Sequence, residues 1–457
     1  VRFTDFRVQP LLPHLHSQDG PGLAVGDVDG NGLEDCFVGN GRRHAGVFFL
    51  QQGDGRFERR SLDDEADSED LGVLLFDAEG DGDADLYIAS GSSEFRAYDP
   101  NLRDRLYLND GTGRFERAAG ALPDLTVASS TVNAADYDRD GDLDLFVGGR
   151  LVPQHYPLPE RSALLRNDSQ GERVAFADAT EDLAPGLLDL GLVSAALWTD
   201  YDDDGWVDLL VAGEWLPITF FHNEEGRLVK ADVLDQPSAG WWNSIAGADF
   251  DHDGDIDYVL GNQGLNNSYR ASPEHPLQVH AKDFDGNGSV DHVISAYAEG
   301  AYYPIHPKKD LIKQLNVMRR RFPRYEEYGR ATVAELFTAE EWEGTYVARA
   351  HVLESMYLEN RGADGFALQP LPRAAQVAPV YGLLADDFTG DGHPDILLCG
   401  NRYGTEFITG YQDASIGLLL AGDGAGGFTP LPARESGFVV AGDAKGLVQL
   451  AGADGRR

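Results

Sequence analysis

The sequence predicts an all-β protein, a seven-bladed β-propeller with eight blades as the alternative. Three observations carry that expectation. A nine-residue acidic loop recurs seven times along the chain, strand-like apolar segments flank the copies, and a second, Gly-rich hairpin usually follows each one. Self-similarity of this kind marks a repeat architecture. Two hairpins per repeat make a four-stranded sheet, and arranging such sheets radially protects their edges, which is the propeller solution.

The loops open at Asp27, Asp77, Asp136, Asp200, Asp249, Asp283 and Asp387, and every one has Gly at its sixth position. Oxygen-bearing side chains fall at positions 1, 3, 5 and 9. Calcium takes about six to eight oxygens at roughly 2.3–2.6 Å. A tight loop aims alternate side chains at one point, and Gly at position 6 permits the sharp bend, with positive φ. Position 7 then offers its backbone carbonyl, and the Asp at position 9 closes the shell. An EF-hand opens in the same way but runs twelve residues to a Glu between helices. Here the flanks are strand-like, as in Leu143–Val147 and Val207–Val211, so each loop should join two antiparallel strands. Acidic Gly-rich turns are common in β proteins, but seven copies in one register outweigh that reading.

The candidate calcium ligands follow loop by loop. The first loop offers Asp27, Asp29, Asn31, Leu33 and Asp35, and the second Asp77, Glu79, Asp81, Asp83 and Asp85. The third offers Asp136, Asp138, Asp140, Asp142 and Asp144, and the fourth Asp200, Asp202, Asp204, Trp206 and Asp208. The fifth offers Asp249, Asp251, Asp253, Asp255 and Asp257, and the sixth Asp283, Asp285, Asn287, Ser289 and Asp291. The seventh offers Asp387, Thr389, Asp391, His393 and Asp395, and Thr389 at position 3 makes it the weakest. Up to seven Ca2+ are expected.

The second hairpins read as an apolar strand, a Gly-rich turn and an aromatic, as in residues 47–57, 106–115 and 418–428. Loop starts are spaced by 50, 59, 64, 49, 34 and 104 residues. A gap of 34 is too short for a whole blade, so the fifth and sixth loops should share one enlarged blade, and the gap of 104 should hold an insertion. Residues 308–345 supply it. Leu311, Ile312, Leu315 and Met318 have helical spacing, Pro323 ends that helix, and residues 332–342 read as a second, shorter helical piece. Seven basic residues and one acidic lie between Lys308 and Arg324. They are expected either to pack on the protein's own carboxylates or to dock an acidic partner, a second copy in head-to-tail association included.

Residues 1–457 read as a single propeller domain whose last blade is incomplete. Residues 446–457 form a degenerate eighth loop, with Asp454 and Gly455 at positions 5 and 6. Either the chain continues, or a strand from another molecule completes the blade. Phe3–Val8 resembles an outer strand that would close the ring.

These loops and hairpins resemble the FG-GAP/VCBS-repeat proteins, whose propellers include the integrin α-subunit head, and among them large bacterial VCBS-repeat proteins, some of them ASPIC/UnbV-like. The resemblance covers essentially the whole chain. It implies a propeller fold and assigns the loop positions above as calcium ligands. It leaves the biological role open.

The formal charge is −40, and the four side-chain positions of the seven loops supply 25 carboxylates. Without metal those clusters repel and oppose folding, so calcium is expected to be part of the fold. Such acidity argues against nucleic acid as a partner. No apolar run of 18 residues exists, so no transmembrane helix is expected. Cys36 and Cys399 should face opposite sides of their strands and be buried core thiols. Millimolar calcium is found outside cells, so an exported protein is expected, extracellular or at the cell surface, with the periplasm possible.

No nucleophile elbow, Walker loop, HExxH or dinucleotide motif appears, and no catalytic residue is assigned. His14 and His16, two apart, are a weak metal signal. The pairs Glu214–Trp215 and Trp241–Trp242 either stack on sugars or fill gaps between blades. The leading expectation is a non-enzymatic, calcium-stabilised propeller for adhesion, surface assembly or scaffolding, with a protein or carbohydrate partner at the cell surface. A lectin-like module and a polysaccharide-active enzyme are the alternatives.

Overall fold

The computed structural model describes residues 3–62, 67–171 and 173–453. Their strands gather into seven antiparallel sheets, six of four strands and one of five. The first sheet comprises Leu23–Gly26, Asp35–Val38, Val47–Gln51 and Phe57–Ser61. Three more with the same order begin at Asp70–Phe76, Ser129–Ala135 and Leu192–Thr199. The fifth begins at Ser244–Ala248 and the last at Val380–Asp386. In all seven loops the residue before position 1 pairs with the Asp at position 9, as in Gly26↔Asp35 and Ala135↔Asp144. The loops are therefore hairpin turns of one register, as their flanks predict.

The sixth loop lies in a sheet of its own, ordered Ala301–Pro304, Asp291–Ala298, Leu277–Lys282, Tyr346–Ala350. This sheet is inserted between Asp257–Gly261 and Met356–Asn360, which pair directly as the second and third strands of the fifth sheet. The fifth and sixth loops therefore do not share one enlarged blade, as the 34-residue spacing predicts, but lie in two sheets, the short spacing reflecting an excursion out of one of them.

First strands pack side by side in chain order, from Leu23–Gly26 through the second, third, fourth and fifth sheets to Val380–Asp386. Hydroxyls tie the later ones together: Ser130 Oγ donates to Val193 O (2.8 Å), Ser194 Oγ to Trp242 O (2.6 Å) and Ser244 Oγ to Val380 O (3.2 Å). Together these strands line a cavity of about 250 Å³. Second strands such as Asp85–Ser90, Asp144–Gly149 and Asp208–Leu216 are buried along their whole length. Apolar clusters fill the spaces between sheets, for example Tyr137, Phe146, Leu209, Val211 and Phe221. Each such side chain contributes about 1.5–3 kcal/mol on burial.

Residues 446–451 run between the last sheet and the first. Leu447 lies beside Gly382, and Gly446 beside Leu23. Gln449 Nε2 donates to Asp386 Oδ2 (2.9 Å), Gln51 Nε2 to Ala451 O (2.9 Å), and Ala451 N to Glu34 Oε2 (2.5 Å). The loop expected at Asp454 and Gly455 lies outside the described residues.

The helical segment holds α-helices Lys308–Gln314, Met318–Arg321, Tyr325–Arg330 and Ala339–Trp342. Leu311, Leu315 and Met318 are fully buried against Leu11, Val293, Leu336 and Phe337. Its basic residues are partly absorbed locally. Lys308 is buried, Lys313 pairs with Asp310 (2.7 Å), and Arg321 pairs with Glu341 (2.7 Å).

Three further expectations are corrected. Phe3–Val8 is not a strand but contains the 3-10 helix Asp5–Arg7. The buried Asp5 carboxylate accepts from His16 N (3.1 Å), Ser17 N (3.1 Å), Ser17 Oγ (2.5 Å) and Ser93 Oγ, and these local bonds outcompete strand pairing. Trp215, Trp241 and Trp242 are at most 5% exposed and form core, so neither Trp pair is a sugar platform. Cys36 is only half-buried, whereas Cys399 is buried; both are free thiols.

One buried acid makes stability depend on pH. Glu69 is 7% exposed, and its Oε2 has no partner among the described residues. Burial first, then the charges of Glu94, Asp19 and Asp5, pushes it from 4.5 up to about 8. The folded state keeps this proton to higher pH than the unfolded chain, so the acid costs stability progressively between those two values, by up to about 5 kcal/mol. Glu69→Gln is therefore expected to melt increasingly above wild type as pH rises from about 5 to 8. A gap that does not change with pH would contradict this.

Candidate metal centres

Each acidic loop is built by the same bonds. The carboxylate at position 1 accepts from the Gly N–H at position 6 in six loops, for example Gly32 N to Asp27 Oδ2 (2.8 Å) and Gly205 N to Asp200 Oδ2 (2.9 Å). The oxygen at position 5 accepts from the N–H at position 7 in all seven, from Leu33 N to Asn31 Oδ1 (2.8 Å) through His393 N to Asp391 Oδ1 (3.0 Å). Every Gly at position 6 has positive φ, between 80° and 102°, as the bend requires.

Position 4 is left-handed as well. Gly occupies it in four loops, but Arg139, Asp203 and His252 hold φ of 61°, 56° and 62°. A side chain pays for that conformation. The exposed Asp203, replaced by Gly, is expected to raise stability by up to about 1 kcal/mol in a denaturant titration. A loss would show that its carboxylate does more than turn the chain.

The Asp at position 9 is buried in every loop, at most 1% exposed. In six loops it accepts from an N–H at the end of the third strand, and in six it accepts from an N–H of its own loop. Asp144 Oδ1 accepts from Asn167 N (2.7 Å), and Asp208 accepts from Asn223 N (2.7 Å) on Oδ1 and Tyr201 N (3.3 Å) on Oδ2. Burial, with neighbouring carboxylates, pushes Asp85 up to about 6, Asp144 to about 8 and Asp291 to about 7.

The carboxylates converge. Positions 1, 3 and 9 lie within 4.8 Å of one another for Asp27/Asp29/Asp35, Asp136/Asp138/Asp144 and Asp200/Asp202/Asp208. Several of their oxygens are buried without any hydrogen-bond partner among the described residues, including Glu79 Oε2, Asp136 Oδ1, Asp144 Oδ2, Asp200 Oδ1 and Asp249 Oδ1. An unpartnered buried carboxylate oxygen is costly, and a clustered set of them fits a hard cation with oxygen ligands.

Position 7 divides by residue. Asp83 Oδ1 and Asp142 Oδ1 are themselves buried and unpartnered, so these side chains join the cluster, beyond the carbonyl expected there. Trp206 instead lies under the Arg139 guanidinium (3.9 Å), and His393 Nδ1 meets His252 Nε2 (2.8 Å). One group was not anticipated from sequence: His222 Nδ1 stands 3.2 Å from Asp202 Oδ2 and 3.3 Å from Asp208 Oδ1. Strand alternation places it there, beside Asn223.

Amides then tie each loop to the neighbouring sheet. Asn109 Nδ2 donates to Val28 O (2.9 Å), Asn167 to Ala78 O (3.0 Å), Asn223 to Tyr137 O (2.7 Å) and Asn360 to Tyr201 O (2.9 Å). Each acceptor is the carbonyl at position 2 of the preceding loop. Gly426 N reaches the carbonyl of Phe250, the fifth loop's position 2 (3.4 Å).

The fold and these loops define a repeat protein of acidic-loop sheets. The sequence model of the FG-GAP-like repeat matches residues 27–88, 77–147 and 200–260, so the chain carries FG-GAP-like repeats. It is similar to cartilage acidic protein 1 of Xenopus tropicalis, 27% identical over 216 residues, covering 45% of this chain and 31% of that protein. The Homo sapiens protein of that name is 26% identical over 216 residues, 45% of this chain and 30% of the relative. The matched region thus spans about a third of these relatives' length. Among solved structures, an Agrocybe aegerita lectin described by its recognition of non-reducing terminal N-acetylglucosamine aligns over 90% of this chain and 93% of its own, at 15% identity and a TM-score of 0.34. Among the described residues no helix is long and apolar enough to cross a membrane.

Proposed function

We propose that the chain is a calcium-stabilised propeller that acts outside the cell as a structural and recognition module, without catalysis of its own. The clustered, unpartnered buried carboxylate oxygens of the loops carry this reading. The side chains at positions 1, 3, 5 and 9 hold Ca2+, joined by Asp83 and Asp142. The ion neutralises like charges that otherwise repel and pins the first two strands of a sheet to the third through position 9.

Ring closure follows the amide pattern. Gln51 Nε2 binds Ala451 O as Asn109 Nδ2 binds Val28 O, and Ala451 is position 2 of the degenerate eighth loop. Residues 446–451 therefore stand as the first strand of a seventh blade, closing a ring of six sheets. The inserted sheet and its helices lie outside that ring.

Similarity to cartilage acidic proteins favours an extracellular role, with variable surface loops presenting the recognition surface. A carbohydrate or protein partner at the cell surface is tested by binding to glycan and extracellular-matrix panels in calcium and in chelator. Binding that needs calcium and leaves the ligand unaltered supports the reading. Turnover of a polysaccharide would overturn it.

A further inference from the structure

Opposite the acidic loops, at the other end of the sheets, three side chains from distant parts of the chain meet. His14 and His16 lie in the segment before the first sheet, and Glu214 lies near the end of Asp208–Leu216. Their donor atoms fall within 4.8 Å of one another, and the residues are 2%, 3% and 2% exposed. His14 Nε2 is 3.2 Å from Glu214 Oε2. Among the described residues His16 Nε2 has no hydrogen-bond partner, and Glu214 is the one group that His14 Nε2 meets. A buried polar atom left unsatisfied costs about 1–3 kcal/mol, so His16 Nε2, aimed into the cluster with His14 and Glu214, calls for something that binds it.

The surroundings are those of a held metal site. His16 Nδ1 faces Asp19 Oδ2 (3.4 Å), the carboxylate–histidine arrangement that leaves Nε2 as the free donor. Glu214 Oε1 accepts from Tyr156 Oη (2.6 Å), which accepts from Trp215 Nε1 (2.6 Å). Arg150 donates to Glu214 Oε2 (2.9 Å), leaving that oxygen a second lone pair. The buried guanidinia of Arg150 and Arg402 oppose an incoming cation, and the carboxylates of Glu214 and Asp19 offset those two charges. Donors around a tetrahedral metal with bonds of about 2.0–2.1 Å stand about 3.3 Å apart, close to the 3.2 Å between His14 and Glu214. Two imidazoles and one carboxylate suit zinc and not calcium, and such three-ligand sets keep a fourth position for water. A cavity of about 10 Å³ beside His16, Asp19 and Arg150 has about the room of one water.

We propose that His14, His16 and Glu214 bind one zinc-like transition-metal ion, chemically separate from the calcium loops. The site ties the segment before the first sheet to the fourth sheet, next to the axial cavity.

The test loads the full chain with zinc in excess calcium, removes loosely held metal, and counts zinc and calcium per chain by plasma emission. Cobalt loading gives a visible spectrum that reports nitrogen ligands. One zinc per chain is expected, lost in His14→Gln and His16→Gln with the calcium count unchanged, and bound about 10–100-fold more weakly in Asp19→Asn. Equal zinc in wild type and both His variants would overturn the proposal. So would a wild-type protein that takes up neither zinc nor coloured cobalt in excess calcium, whatever the folding of the variants. Because calcium is counted separately, failure here is distinguishable from failure of the calcium loops.

Discussion

Stripping calcium with a chelator is expected to lower the thermal midpoint of this protein more than any single substitution, and to unfold it near room temperature. A site filled at a hundredfold over its Kd adds about 2.7 kcal/mol. Four such sites together exceed about 10 kcal/mol, comparable with the roughly 5–15 kcal/mol that hold a typical domain together. The loops left behind concentrate carboxylates in a chain of charge −40, and position 9 is buried in every loop. Burial and neighbouring carboxylates raise Asp85 to about 6 and Asp144 to about 8, so protons then replace the ion in part. Adding calcium back should restore the melt. Magnesium should not, since it demands six ligands at shorter distance and keeps its waters. Circular dichroism against temperature, with chelator, calcium or magnesium, checks this.

Asn223→Ala is expected to cost roughly 3–5 kcal/mol even in saturating calcium. Its Nδ2 donates to Tyr137 O (2.7 Å) and Val207 O (2.9 Å), and its Oδ1 accepts from Gly226 N (2.7 Å). The side chain is 1% exposed, so truncation leaves three backbone groups without partners where little water reaches them. One of these bonds crosses to the third sheet's loop, so the loss also loosens the seam between sheets. Chemical denaturation in calcium measures the effect. A change under about 1 kcal/mol would mean that apolar packing alone holds neighbouring sheets together.

The acidic loops were legible in the sequence because their construction is local. Nine residues contain the turn, its left-handed Gly and four converging oxygens, and the flanking strands follow from the register of Asp at position 9. Position 4 was less legible, because Arg139, Asp203 and His252 hide a backbone requirement that Gly announces in the other loops. The repeated Asn at the end of the third strand stood in plain view, yet its role depends on a carbonyl some 80 residues away, as for Asn109 and Val28. Strand pairing across the inserted sheet is likewise non-local. The spacing of 34 residues signalled an irregular blade but not that Met356–Asn360 returns to pair with Asp257–Gly261. The resemblance of Phe3–Val8 to an outer strand does not survive folding, since Asp5 gathers its bonds from Ser17, His16 and Ser93. His14 and His16 carried only a weak signal, because Glu214 reaches them through the fold and not through spacing.

The most direct measurement is calcium bound per chain at millimolar free calcium, by equilibrium dialysis and plasma emission, for wild type and for variants that each lose one position-3 acid, such as Asp138→Ala and Asp202→Ala. If the loops are calcium sites, wild type holds up to seven ions, with the second to fifth loops filling first, and each variant loses one. A wild-type protein with no tightly held calcium, or a count unchanged by these substitutions, would contradict the assignment.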